Sequence, residues 1–135
     1  EELGLRGAQD GCADGSCGAC SVLLDQEAVP ACLVVIGQCD GRELVTVEGL
    51  SRREYLGAVR RALSEDAGGS CGLCEAGMLI ASEALLRKHA APSDEQIGEA
   101  LAGNLCRCTG YERIAGGVRA AAAQLAQGAP NGRAP

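Results

Sequence analysis

The chain contains no phenylalanine and no tryptophan, and Tyr55 and Tyr111 are its only aromatic residues. Large rings dominate the energetics of most small cores. A stable core here must therefore be aliphatic, or must draw on another source of stability. Histidine occurs once, as His89, remote in sequence from every cysteine. No Ser/His/Asp or Cys/His arrangement for nucleophilic catalysis can be assembled around it. Positive charge is also short: 12 Lys and Arg face 18 Asp and Glu, for a net charge of −6. That argues against a nucleic-acid partner, which calls for a basic stripe. No apolar run reaches the length of a membrane span, and no phosphate-cradling motif precedes a helix in the strand context it requires. The chain has no visible means of transforming an organic substrate alone, and no residue is assigned a catalytic role.

What the chain does have is nine cysteines in 135 residues. The count is odd, which disfavours a closed disulfide framework. The spacings are tight, Cys-x-x-Cys twice and Cys-x-Cys once, and such pairs in a reducing compartment are more often metal or redox sites than structural bridges. Thiolate–metal bonds contribute directly to folding free energy, which suits a core without rings. A chain of this length fits one domain or two very small ones.

Periodicity divides the sequence in two. Residues 1–49 open with Glu1 to Leu5, which reads as the tail of a helix, followed by a Gly/Asp-rich loop over 7–18. Strands are predicted over Ser21 to Asp25, Ala28 to Ile36 and Glu43 to Val47, with Asp25-Gln26-Glu27 as a tight turn that lacks the favoured Gly. Cys32 falls in the second strand. Gly49 to Arg53 is the connector. Residues 50–127 turn helical, with helices over Tyr55 to Ser64, Met78 to His89, Ser93 to Leu101 and Tyr111 to Gln127. Leu56, Val59, Ala62 and Leu63 share one face of the first. Gly68-Gly69 ends that helix, and Ser93 and Gln96 have capping-box spacing. Residues 128–135 read as a disordered tail. Each cysteine pair of the second half follows a shorter helix and precedes a longer one. A four-helix bundle would gather these sulfurs at one end, with the positive N-termini of the longer helices stabilising an anionic centre.

Cys12-x4-Cys17-x2-Cys20 followed by Cys32 has the plant-type [2Fe–2S] spacing. The alternative, a zinc site, uses Cys17 and Cys20 as a knuckle but strands Cys12. Cys71-x2-Cys74 with Cys106-x-Cys108 forms a second set, for which zinc stays open on spacing alone. Two redox centres in one small chain imply a relay. Cys39 lies outside both sets and reads as a bystander thiol. His89 reads as a solvated helix end, Met78 as core, and Arg52-Arg53 and Arg60-Arg61 as solvated surface. Arg107, between two ligands, either tunes the centre or offsets local negative charge.

Together these segments resemble the small iron–sulfur subunit of the xanthine oxidase family of molybdenum hydroxylases. The matching stretches are Gly11-Cys12 through Leu23, Ala31-Cys32-Leu33, Val45 to Leu50, Cys71-Gly72-x-Cys74, Gly77-Met78 and Gly103 through Tyr111, in the family's order and spacing. The resemblance implies an α+β chain. A β-grasp, ferredoxin-like domain over 1–49 holds one [2Fe–2S] cluster on Cys12, Cys17, Cys20 and Cys32. A four-helix domain over 50–127 holds a second on Cys71, Cys74, Cys106 and Cys108. It implies a large partner carrying molybdopterin, electrons passing singly through the helical-domain cluster and then the ferredoxin-like one, and FAD on a third subunit. The rival readings are a stand-alone ferredoxin-like carrier and a zinc-stabilised interaction module. A cytoplasmic location is expected, with no signal peptide visible.

Two departures from the family pattern stand out. The family opens with a strand hairpin and a helix ahead of the position equivalent to Leu3, so the β-grasp domain is expected to be N-terminally truncated here; an intact native mass matching Glu1–Pro135 would contradict that. Ser70 replaces a common Gln that contacts the pterin, and Glu75-Ala76 replaces Thr-Pro. Ser70 is thus the pterin-facing position, with a side chain too short for the same contact.

Overall fold

The apolar run Ser21-Val22-Leu23-Leu24 forms β1 (Ser21–Leu24), and all four of its residues are buried. Alternate side chains of a strand point to opposite faces, so both faces of β1 are covered. The computed structural model describes residues 3–50, 53–64 and 71–127. In it β1 is the middle strand of a three-stranded antiparallel sheet, between β2 (Glu27–Pro30) and β3 (Leu44–Val45). Ser21 lies opposite Pro30, Leu24 opposite Glu27, and Leu23 opposite Val45.

The predicted hairpin forms at Asp25-Gln26, both in the left-handed region with φ of 48° and 72°. Two such residues match the twist of the strands they join. Without Gly the turn is strained, and Asp25 offsets this: its carboxylate accepts from Arg42 Nε at 2.6 Å and from the Glu43 N–H at 2.9 Å. The second strand is shorter than predicted. It stops at Pro30, which has no N–H to continue a ladder, and gives way to 3₁₀ turns at Ala31–Leu33 and Ile36–Cys39. Cys32 therefore sits in a turn just past the strand. The third strand shrinks to Leu44–Val45, because Val47–Leu50 winds into another 3₁₀ turn. Residues 3–5 are not helical: Gly4 is left-handed at φ 67°.

Among the described residues four helices follow: α1 (Gly57–Ser64), α2 (Glu75–Lys88), α3 (Asp94–Ala102) and α4 (Tyr111–Ala126). A 3₁₀ turn at Glu54–Leu56 leads into α1; Leu56 at the end of the turn and Val59 in the helix are fully buried, as the pattern requires. α2 begins three residues before the predicted Met78, immediately after Cys74, and Glu75 in its first turn complements the helix dipole. Ser93 caps α3 as predicted. Its Oγ accepts the Gln96 N–H at 3.2 Å, and Gln96 Oε1 accepts the Ser93 N–H at 2.8 Å. Gly68-Gly69, Ser70, the 128–135 segment and the side chains of Ala62 and Leu63 lie outside the described residues.

α2 is the hub of the molecule. Every residue from Ala76 to Leu86 is buried, as expected of a helix enclosed on all sides. It packs on β1, α3 and α1, while α1 lies along α4. One continuous apolar core joins Leu23 and Leu50 to Met78, Ile80, Ile97, Leu101, Ile114 and Val118. Each fully buried Leu or Ile there contributes about 1.5–3 kcal/mol, so aliphatic burial does the work that rings do elsewhere.

Glu83, fully buried on α2, accepts a hydrogen bond from the Tyr55 hydroxyl and pairs with Arg87 Nε at 2.7 Å and Arg53 Nε at 3.7 Å. Burial, then the Glu83 carboxylate, push the Tyr55 phenol well above its usual range. Arg53 is thus a partner of a buried carboxylate rather than solvated surface. Arg60 likewise donates to the Leu50 carbonyl at 2.9 Å.

Candidate metal centres

Residues 7–20 coil around the first cysteine set because their backbone can turn where a side chain would obstruct. Gly15 and Gly18 are left-handed, at φ 84° and 71°. A Cβ on Gly11 would sit 2.9 Å from Cys17 Sγ, so only glycine lets the backbone pass that close to the sulfur. The Ala19 N–H points at Cys17 Sγ at 3.5 Å. The loop is tied down upstream by Glu48, whose Oε1 accepts the N–H groups of Arg6 and Gly7, both at 2.8 Å.

The four predicted thiols of this set come together in two pairs, Cys12 beside Cys17 and Cys20 beside Cys32. At Cys12 the Asp14 carboxylate opposes ionisation. The Asp14 backbone, the Ser16 hydroxyl and the Cys17 thiol outweigh it and bring the thiol down to about 7. Cys32 is pushed up, chiefly by its hydrogen bond to Cys20. Cys20 is buried and Cys32 exposed, so the set lies under one edge of the surface.

The second set gathers between α2 and α4. Cys74 is the residue ahead of α2, and Gly110, two residues past Cys108, is the one ahead of α4. Both positive helix ends therefore face this set. Cys71, Cys74, Cys106 and Cys108 line one cavity of about 350 Å³ with Leu73, Leu105 and Arg107. Burial, then Cys106 and Cys71, push the Cys74 thiol up to about 12. Burial also opposes ionisation of Cys106, but Thr109, Cys74 and the Cys108 backbone bring it down to about 7. Cys106 Sγ lies 3.2 Å from the Thr109 hydroxyl.

Sequence reading missed the role of Tyr111. Its hydroxyl accepts the Cys106 N–H at 3.2 Å and donates to the Asn104 carbonyl at 3.0 Å, bracing the Cys-x-Cys loop. Its signals were that it is one of two aromatics and that it closes the matching stretch Gly103 through Tyr111. Cys39 is gathered with neither set, and exposed His89 ends α2 beside Gln96. Ser70 falls outside the described residues.

The donors fit an iron–sulfur centre. Each set is all thiol, the soft donor such clusters take, and among the described residues the cavity of the second is lined by no carboxylate or imidazole. Among the described residues no three Cys, His, Asp or Glu side chains converge tightly enough to share one ion. Among the described residues no helix is long and apolar enough to cross a membrane.

Comparison with known proteins agrees. The family model described as a "[2Fe-2S] binding domain" matches residues 46–119. The chain is 43% identical over 133 residues to a probable xanthine dehydrogenase subunit of Bacillus subtilis (strain 168), covering 98% of this chain and 74% of that one. It is 38% identical to the nicotinate dehydrogenase small FeS subunit of Eubacterium barkeri, covering 93% and 80%. Among solved structures, quinoline 2-oxidoreductase from Pseudomonas putida 86 superposes with a TM-score of 0.80 at 39% identity, covering 93% of this chain and 79% of that one. A cysteine framework of this order, on this fold and at this identity, has one reading: the chain belongs to the family of small iron–sulfur subunits of xanthine dehydrogenase-type molybdenum hydroxylases, oxidoreductase complexes that use such subunits for electron transfer.

Proposed function

We propose that the chain holds two [2Fe–2S] clusters, one on Cys12, Cys17, Cys20 and Cys32 in a ferredoxin-like β-grasp domain over 1–49, the other on Cys71, Cys74, Cys106 and Cys108 in a four-helix domain over 50–127. Bound there, the clusters supply one-electron redox chemistry. The chain accepts electrons at the helical set from a molybdopterin-binding partner and passes them through the N-terminal set to FAD on a further subunit. The observation that carries this reading is one backbone hydrogen bond, Leu105 N–H to the Cys17 carbonyl, at 2.9 Å. Leu105 precedes Cys106, and Cys17 belongs to the other set. A single hydrogen bond therefore bridges the two short covalent segments that lead to one proposed ligand of each set.

The surface supports two partners. Leu73, Leu105 and Tyr111 are 46%, 58% and 40% exposed around the second set, and Leu33, Val35 and Ile36 are 58%, 66% and 85% exposed beside Cys32. Apolar groups left in water at both ends are what docking faces look like. Ser70, next to Cys71, takes the pterin-facing position, and nine free cysteines fit a reducing, cytoplasmic setting.

The test is iron and acid-labile sulfide analysis with EPR on the complex purified through this subunit. Two distinct reduced-cluster signals and a copurifying molybdopterin protein are expected. One zinc per site with no signal on reduction overturns the reading. A fully active chain that never associates with a molybdopterin protein points instead to a stand-alone carrier.

A further inference from the structure

The two cysteine sets meet at three residues that are not ligands. Gly18 lies between Cys17 and Cys20, Gly77 is the third residue of α2, and Asn104 stands two before Cys106. Their packing leaves no room for an added atom. A Cβ on Gly77 would lie 2.2 Å from the Gly18 carbonyl oxygen and 2.4 Å from Asn104 Oδ1. A Cβ on Gly18, already left-handed at φ 71°, would lie 2.4 Å from both Asn104 Oδ1 and the Gly103 carbonyl oxygen. Asn104 is only 5% exposed. Ser21 Oγ closes the junction, donating to the Gly18 carbonyl at 2.7 Å, with Asn104 Oδ1 3.5 Å away. Gly7, Gly15 and Gly49 are also tight, but what a Cβ would meet there is a Val or Leu side chain, at 2.0, 2.4 and 2.6 Å, whereas Gly77 and Gly18 meet backbone carbonyl oxygens; Gly98, Gly103, Gly110 and Gly116 have nothing within 4 Å of where a Cβ would stand.

We propose that Gly18, Gly77 and Asn104 are positioning residues that set the separation of the two cluster sites, and with it the strength of electronic and magnetic communication between them. The proposal rests on the reading that both cysteine sets hold clusters. The Leu105 to Cys17 hydrogen bond crosses this same junction, and it needs the two loops in register. Tunnelling across a non-bonded gap decays exponentially with distance, and dipolar coupling between two paramagnets falls as the inverse cube. A methyl group at Gly77 must drive the backbones apart by about 1 Å to reach ordinary van der Waals contact. That displacement acts on communication more than on cluster binding, because none of the three residues supplies a ligand.

The experiment uses the assembled complex carrying Gly77→Ala, with Gly98→Ala as the control in open space. Iron and sulfide content, EPR of the fully reduced protein, and the rate of intercluster electron transfer after rapid one-electron reduction are measured. Gly77→Ala is expected to keep wild-type iron, sulfide and individual cluster signals, to lose or narrow the splitting from their mutual coupling, and to slow the transfer; Gly98→Ala is expected to match wild type. Should Gly77→Ala fail to assemble, Asn104→Ala decides, since it only removes atoms. It is expected to broaden the splitting as the spacing loses definition, while the isosteric Asn104→Asp retains it. Wild-type splitting in whichever of Gly77→Ala and Asn104→Ala assemble, at full cluster content, overturns the proposal. So does a two-cluster wild-type complex with no magnetic coupling. Wild-type protein that holds zinc or a single cluster instead overturns the parent reading, whatever the variants do.

Discussion

Tyr111 places one hydroxyl between two backbone groups of the Cys-x-Cys loop, the Cys106 N–H and the Asn104 carbonyl. Phenylalanine keeps the ring and deletes both bonds. Each such bond contributes about 0.5–1.5 kcal/mol, so Tyr111→Phe is expected to cost about 1–2 kcal/mol in denaturant unfolding, with helix content unchanged. Glu48 makes a prediction in pH. The Thr46 side chain lowers its carboxyl most, with the backbone N–H groups of Glu48, Gly7 and Arg6 assisting against burial, down to about 2 from an ordinary 4.5. A depressed acid contributes stability that is complete above its unfolded value and lost as pH falls through its folded one. The protein is therefore expected to lose stability between about pH 4.5 and 2, and Glu48→Gln to flatten that part of the profile. A variant titrating like wild type would show that other carboxylates carry the effect.

Elements are delimited here by single side chains at their ends. Pro30 stops β2, Cys74 and Gly110 precede the two helices that face the second cysteine set, and the Ser93–Gln96 box starts α3. Replacing a Ser cap by Ala costs typically about 1 kcal/mol. Ser93→Ala is expected to lower stability by that amount in chemical denaturation, and to leave any cluster signals intact, because α3 supplies no cysteine. A larger loss, or a perturbed cluster spectrum, would mean that α3 holds Asn104 and Leu105 in place more tightly than its cap suggests.

Across the whole molecule, an aliphatic core centred on α2 is joined to the sheet by polar ties. Arg87 reaches Gln26 at 3.1 Å, Lys88 pairs with Glu27, and Glu83 is held by Tyr55, Arg53 and Arg87. Residues 7–20 and 104–110 have little regular structure of their own, and both are cysteine loops. Metal binding to thiolates is folding free energy, so chelation of iron under reducing conditions is expected to lower the thermal midpoint and to release these loops first, while α2 stays protected. Hydrogen exchange measured before and after chelation tests this; identical protection in both loops would contradict it.

Much of this was legible in the chain itself. Spacing alone grouped Cys12, Cys17, Cys20 and Cys32, paired Cys71-x2-Cys74 with Cys106-x-Cys108, and predicted the Ser93 cap, because ligand geometry and capping act over a few residues. Helix existence followed from periodicity for the same reason. Strand ends did not: the apolar run to Ile36 reads as strand, but Pro30 at the sheet edge ended it. Arg53 and Arg60 looked like solvated surface, because nothing local announces a buried Glu83 or a Leu50 carbonyl in need of a donor. The contact between the two cysteine loops, through Gly18, Gly77, Asn104 and the Leu105 to Cys17 bond, was decided only by tertiary packing. It joins segments from opposite halves of the chain, and only the buried α2 between them brings their backbones to touching distance.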